Sequence, residues 1–332
     1  MMSSRKKLTP MLNDYLYEAI RRVAIEQGFT PELFSVDFDE ETAIECDGFV
    51  YFVFKAIVNE DDREFVLWCK VPPNDDQRSL ALFKREVFFF REILPAFYKF
   101  QTVKDTSREK GAGFYDMPKC YLAHCDTEKE EPEAAIILEY DENHEKWDWD
   151  KLKPIDLDHS KVLMEQLGQF HAILFAMKSQ KPELFEKFTS QDALVGNDDL
   201  ETLMEESFDR ATPTRRTRFV AEQDTASSET NEPYCADSHS DCWIDNLIYK
   251  HNENNAATNV TLTDWHASPL LDLSYFFFIC VGAQFRKDNL LQHYHNALEK
   301  LLDRLEGNTA TQFPVADLLR IVQSYRRLLK DE

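Results

Sequence analysis

The sequence predicts an α+β chain in which a small β-rich lobe is followed by a larger helical lobe. Three observations predict it. Two apolar runs over residues 49–58 and 64–71 flank a polar turn. The composition changes after Tyr140. Beyond that change, apolar residues recur at helical spacing. The chain has 332 residues, 43% of them hydrophobic, with 25 Phe, 12 Tyr and 5 Trp. That is enough for one large domain or two lobes sharing a cleft, and it excludes wholesale disorder.

Residues 11–27 carry a helical pattern. The run from Phe49 to Val58 is rich in β-branched and aromatic residues and predicts a strand. Glu64 to Val71 predicts its partner across the turn Asn59 to Asp62, which leaves Lys70 near the end of the second strand. Leu80, Phe83, Val87, Phe90, Leu94 and Phe97 recur at steps of three and four, the stripe of a buried helix face. Glu86 flanks that stripe at the core boundary, where a carboxylate requires a cation. Cys120 to Cys125 and Ala134 to Tyr140 predict two short strands around an acidic turn, Thr127 to Glu133. Asp141 to Asp150 is polar and acidic, and Leu163, Leu167, Phe170 and Leu174 then mark a long helix. The remainder reads as mostly helical apart from one strand pair. Within it, residues 221–233 read as a polar loop or a locally disordered insert, and Arg210, Arg215, Arg216 and Arg218 as a solvated basic face or, in a sharper reading, an anion or targeting site.

Charge and composition exclude several functions. Against 38 Lys and Arg stand 61 Asp and Glu, a net charge of −23 that repels a nucleic-acid backbone and an anionic membrane surface. The longest uncharged run, Leu273 to Phe285, has 13 residues, well short of the roughly 20 needed to span a bilayer. The basic N-terminus lacks a signal-peptide core, so a cytoplasmic location is expected. Seven cysteines without a CxxC read as reduced structural thiols. Cys120, His124 and Cys125 lack the second Cys/His pair that a zinc site needs. With eight glycines there is no GxGxxG, no GxxxxGK[ST] and no GxSxG, and His144-Glu145 lacks the second His of a zincin.

The informative segment is His239-Ser240-Asp241-Cys242-Trp243-Ile244-Asp245-Asn246, followed by the apolar runs Leu247 to Tyr249 and Val260 to Leu262, and then Asp264-Trp265. The turn-rich stretch His251 to Asn255 makes the two runs an antiparallel hairpin. Closing it brings Asp241 and Asn246 at one end toward Asp264 at the other. Three oxygen-bearing side chains then converge, as a magnesium ion with bound phosphates requires. Phosphoryl transfer also needs a Lys held by a Glu, and Lys70 and Glu86 are the candidates. A divalent cation would let so acidic a chain bind a polyanion.

At these residues the sequence resembles the ecdysteroid kinase-like, or choline-kinase-like, family of small-molecule phosphotransferases, relatives of the aminoglycoside phosphotransferases and distant kin of protein kinases. The family's HGDxWxxN stretch is matched by His239, Asp241, Trp243 and Asn246, and its DFQ by Asp264-Trp265-His266. The following SPxxDLxYF is matched by Ser268 to Phe276, the ATP-lysine strand by Lys70-Val71-Pro72-Pro73, the FxxExxFY helix by Phe83 to Phe89, and the HA pair by His171-Ala172. The resemblance covers about residues 40 to 320 as one kinase-like domain.

The resemblance implies a bilobal protein-kinase-like fold, with an N-lobe over 1–138 that covers the nucleotide and a C-lobe over 139–332 that carries the catalytic loop. It implies ATP and Mg2+ as cofactors and a small-molecule hydroxyl as acceptor. Asp241 would be the catalytic base and His239 a brace of the loop. Asn246 and Asp264 would be the metal ligands, and Asp272 would accept hydrogen bonds from the loop. Lys70 would contact phosphate with Glu86 as its partner, Asp47-Gly48 would stand in for the phosphate-covering loop, and Leu138-Glu139-Tyr140 would border the adenine. The chain departs from the family pattern in four places. Ser240 replaces a Gly, the phosphate loop has one glycine, the segment between Asp264 and Ser268 is shorter, and the sequence ends at Glu332, before the family's last helices. Two readings follow: a kinase acting on a steroid or amino alcohol, or a catalytically inactive relative that binds nucleotide or a partner protein.

Overall fold

The turn Asp61-Asp62 sets the register of the hairpin that carries Lys70. Asp61 adopts φ = 51°, a left-handed conformation that a short polar side chain tolerates, so Glu60 pairs directly with Arg63. The hairpin belongs to a computed structural model that describes residues 14–45, 52–72, 77–104, 113–129, 133–140, 144–146, 155–189, 247–263, 265, 289–314 and 316. The chain divides into two compact units, residues 1–92 with 118–142, and 93–117 with 143–332. The segment 93–117 thus lies with the second unit, and the division is not a single cut along the sequence.

The first unit is an antiparallel sheet of β1 (Ser35–Glu45), β2 (Phe52–Glu60), β3 (Arg63–Val71), β4 (Cys120–Asp126) and β5 (Glu133–Glu139), ordered β1-β2-β3-β5-β4. Strand alternation puts Phe52, Phe54, Ala56 and Val58 of β2 on one face with Leu67, Cys69 and Val71 of β3. The helix α1 (Asp14–Glu26) covers that face with Leu16, Ala19, Ile20, Val23 and Ala24. Each large aliphatic side chain buried there contributes roughly 1.5–3 kcal/mol. The opposite face carries Trp68 and Lys70. Strand β1 was not foreseen, because SVDFDEETAIE is dominated by acids and its pairing slips between Asp39 and Ile44. Charge on an edge strand is a guard against foreign pairing, not a sign of a loop.

The stripe from Leu80 to Phe97 is not one α-helix. It forms α2 (Gln77–Phe88), a π-helical turn Phe89–Ile93, and α3 (Leu94–Val103). The boundary between the two units falls within this turn, after Glu92. The apolar steps are preserved across it because each half is buried, Phe83 and Val87 in the first unit and Leu94 and Phe97 in the second.

In the second unit α4 (Leu157–Gln180) packs along α6 (Leu290–Arg304), and a short α5 (Pro182–Thr189) follows α4. Leu163, Leu167, Phe170 and Leu174 are all buried, as the sequence pattern requires. A sheet of β6 (His144–Lys146), β7 (Leu247–His251) and β8 (Ala257–Leu262) lies in the same unit, with β8 against α4. The predicted hairpin therefore has a third strand, which the polar composition of 141–150 concealed. The N-terminus of α4 is capped by Asp156, whose carboxylate accepts from the His159 backbone N–H at 3.0 Å and from its ring Nδ1 at 2.8 Å. The His159 ring then meets His251 Nε2 of β7 at 3.0 Å. No described helix is long and apolar enough to cross a membrane.

At Gly168 α4 and α6 approach closely. A Cβ there would overlap the Tyr294 carbonyl oxygen and crowd Ala297 Cβ and Leu298 N at 3.1 Å. Gly168→Ala is therefore expected to lose about 1–3 kcal/mol by overpacking, exceeding the roughly 1 kcal/mol of helix propensity it gains. A chemical denaturation midpoint lower than wild type checks this.

Candidate active site

Lys70 sits on the middle strand of the five-stranded sheet, paired on one side with Val53 and on the other with Ile136. It is not an edge-strand lysine. Its Nζ lies 2.5 Å from Glu86 Oε2 of α2, with both side chains less than a tenth exposed. Removing two charges from water costs several kcal/mol each, and only a close opposite charge offsets that. The geometry therefore couples α2 to the sheet through one ion pair and fixes the ammonium in place. A fixed ammonium can hold the phosphates of a bound nucleotide.

Nearby thiols do not compete as nucleophiles. Burial pushes Cys120 up to about 12, with the Glu86 charge adding to it, and pushes Cys125 up to about 11 against the opposing pull of Lys84. Burial also pushes Cys69 up. These three described cysteines are free, and at neutral pH all stay protonated.

Beside Lys70 on the same face lie Trp68 and its cross-strand partners Lys55 and Leu138. The Trp68 and Tyr140 rings meet at 5.4 Å with planes 63° apart. Lys55 Nζ lies 4.5 Å from the Tyr140 ring centre and 5.8 Å from that of Trp68, a cation over two aromatic rings. Glu139 is exposed, pairs with Leu67, and donates its backbone N–H to Lys119 O at 2.8 Å. The sequence did not single out Lys55 or Trp68. The signal was the turn: a four-residue loop at Asn59–Asp62 gives a different register from the two-residue loop observed, and only the latter sets Lys55 opposite Trp68 and Val53 opposite Lys70.

Gly48, His239, Asp241, Asn246 and Asp264, along with Asp272, lie outside the described residues. The hairpin between them is described, with Leu247 and Leu262 its terminal pair. Trp265, which follows Asp264, is buried against Phe170 at 5.1 Å and Phe114 at 6.3 Å, and Phe97 packs on Phe170 at 5.9 Å. Phe114 is held by the buried Gln101 side chain, whose Oε1 accepts from Phe114 N at 2.8 Å and whose Nε2 donates to Phe114 O at 3.0 Å. The Gln166 Nε2 donates to Asp116 at 3.1 Å and to Asn259 of β8 at 2.6 Å. These ties were not legible in the sequence, since nothing in the spacing of Gln101, Asp116 and Gln166 marks them as partners. Among the described residues no group of three or more His, Cys, Asp or Glu converges on a point suited to a metal ion.

His171, of the HA pair, is an interior histidine. Its Nδ1 meets the Tyr294 hydroxyl at 2.9 Å, and burial drives its pKa down to about 3.

A model of the ecdysteroid kinase-like family matches residues 46–307, well over half of the chain. No curated protein matches the sequence. Among solved structures the chain is similar to an ethanolamine kinase of Plasmodium vivax at 11% identity and a TM-score of 0.44, over 95% of this chain and 83% of that one. It is similar to a spectinomycin phosphotransferase in complex with ADP and spectinomycin at 13% and 0.40, over 88% and 79%. A microcompartment-associated aminopropanol kinase aligns at 11% and 0.38, over 94% of each chain.

Removing either partner of the Lys70–Glu86 pair breaks a buried ion pair. Lys70→Met and Glu86→Gln are each expected to cost about 3–5 kcal/mol in urea unfolding. Their combination is expected to cost less than the sum by at least roughly 1 kcal/mol, the mark of direct coupling. His171 gives a pH signature. Its folded pKa lies below the unfolded value, so the unfolded state binds the extra proton and stability falls as pH drops below about 6.5. The loss is about 1.4 kcal/mol per pH unit, roughly 2 kcal/mol by pH 5. His171→Asn is expected to flatten the melting temperature against pH over that window.

Proposed function

This chain belongs to the ecdysteroid kinase-like family, and from that premise we propose that it is an ATP-dependent phosphotransferase acting on a hydroxyl of a small molecule such as a steroid or an amino alcohol. The observation that supports the reading most is the buried Lys70–Glu86 pair at 2.5 Å on the central strand. A lysine set this way is expensive to bury for stability alone, because apolar side chains of like volume fill such a site at least as well.

In this reading Lys70 holds the nucleotide phosphates and Glu86 holds Lys70. The segment around Gly48 covers the phosphates, and Glu139 and Tyr140 border the base. Asp241 accepts the proton of the acceptor hydroxyl while that oxygen attacks the γ-phosphorus and the bond to the bridging oxygen breaks, releasing ADP. His239 braces the loop that carries Asp241. Asn246 and Asp264 are the residues that would hold Mg2+, and their oxygen donors suit that hard cation. The ion supplies charge neutralisation between the phosphates when bound. The free, protonated thiols agree with a reducing, cytoplasmic location. Ser240, where the family has Gly, and the shorter segment between Asp264 and Ser268 are the features that favour the inactive nucleotide-binding alternative, since a side chain at 240 restricts the loop backbone.

The test is ATP consumption with Mg2+ across a panel of hydroxylated steroids and amino alcohols. Turnover is expected with at least one acceptor, falling by about 100-fold or more in Asp241→Asn. Equal turnover in the variant would show that Asp241 is not the base. Nucleotide binding without turnover on any acceptor would favour the inactive alternative.

A further inference from the structure

We propose that a cavity between α4 and α6 in the second unit binds a small organic dianion, a phosphate monoester or a dicarboxylate. The inference does not rest on the reading of Lys70 and holds equally for an active kinase and an inactive relative.

The cavity has a volume of about 230 Å3. Glu165 and Gln169 of α4 and His293, Lys300 and Arg304 of α6 line it, and Gly113 adds backbone without a side chain. All six belong to the second unit. Pockets for drug-sized ligands run to roughly 300–1,000 Å3, so the occupant here is smaller. The lining runs against the charge of the chain, which is −23 overall, because it holds two cations against one carboxylate. That carboxylate is Glu165, whose Oε1 lies 3.5 Å from His293 Nδ1. Lys300 and Arg304 are exposed, and among the described residues neither has an ion-pair partner. They stand four residues apart on α6, where like charges weaken a helix, and an anion held by both turns that repulsion into attraction. A helix C-terminus favours cations whatever lies beside it, which accounts for Arg304 in the last turn but not for Lys300 before it. A guanidinium fork beside an ammonium suits a group with two or more anionic oxygens. The wall also continues into the framework of the candidate active site. Gly113 and Gln169 immediately precede Phe114 and Phe170, the rings packed on Trp265, so an occupant touches the segments that seat the neighbour of Asp264.

Calorimetric titration of the full chain, without nucleotide, tests this with glycerol 3-phosphate, succinate and inorganic phosphate, and with glycerol as the uncharged control. Wild type is expected to bind glycerol 3-phosphate, succinate or both saturably, more weakly as salt is added, and glycerol not at all. Lys300→Gln and Arg304→Gln are each expected to weaken that binding about 10-fold or more, the loss of one charge-assisted contact. Both residues are exposed, so their unfolding midpoints are expected to stay close to wild type. Lys161→Gln, which removes a like charge from α4 outside the cavity, is expected to stay within about twofold and so separates a local contact from the field of the whole chain. Binding of glycerol 3-phosphate without succinate supports the site and assigns it to phosphate monoesters; the reverse supports it and assigns it to dicarboxylates. Saturable binding of inorganic phosphate alone overturns the proposal, since the cavity then holds no organic ligand. Binding that Lys300→Gln and Arg304→Gln leave unchanged, losses as large in Lys161→Gln, or no saturable binding of any of the three anions overturns it too.

Discussion

A charge inside a sheet must be answered by another charge, and this constraint organises the first unit. Lys70 on the central strand has Val53 and Ile136 beside it and is buried. Glu86 therefore has to come from another element. The helix that brings it, α2, is anchored by apolar residues of the same turns, Leu82, Phe83 and Val87. The apolar burial of α2 supplies the energy that holds a polar contact in place, and the contact in turn fixes the angle at which the helix can lie. A change at one partner therefore breaks a buried pair and not a surface bridge.

The sequence showed the elements of this arrangement more readily than their register. The strands around Lys70, the helix around Glu86 and the hairpin from Leu247 to Leu262 all follow from apolar periodicity, and each is present. The family, too, was legible, because its motifs follow one another along the sequence in a fixed succession and carry sharp chemistry. What periodicity does not encode is which residue faces which. Moving the turn from four residues to the two of Asp61-Asp62 changes every cross-strand pair of the hairpin while leaving the alternation of faces intact. Lys55 and Trp68 became visible as neighbours only through that register. The acidic strand β1 and the three-residue strand β6 escaped for a different reason: both lie at sheet edges, where burial writes little pattern into the sequence.

The second unit was legible in its aliphatic stripe and not in its polar ties. Gln101 offers both its amide groups to the backbone of Phe114, and Gln166 reaches Asp116 and Asn259 at once. Such contacts join residues far apart along the chain and obey no spacing rule. They carry consequences all the same, because a buried amide that lost its partners would leave donors and acceptors unpaired at a cost of about 1–3 kcal/mol each. Through Phe114 and Phe170 they also seat Trp265, the neighbour of one proposed metal ligand.

The π-helical turn at Phe89–Ile93 shows why a single stripe can mislead. Apolar steps of three and four from Leu80 to Phe97 are what one long helix requires, and they are also what two helices require when each faces its own core. Residues before the turn bury into the first unit, with Glu86 among them, and residues after it bury into the second, with Gln101 among them. A π-helical turn accommodates a residue beyond the α-helical count, so it can re-aim one half relative to the other without breaking the run of backbone hydrogen bonds. The periodicity records burial on both sides and is silent on where burial changes hands. Here that change falls six residues beyond the carboxylate that holds Lys70, so the same continuous segment contributes a side chain to the candidate active site and a framework residue to the unit that carries the hairpin.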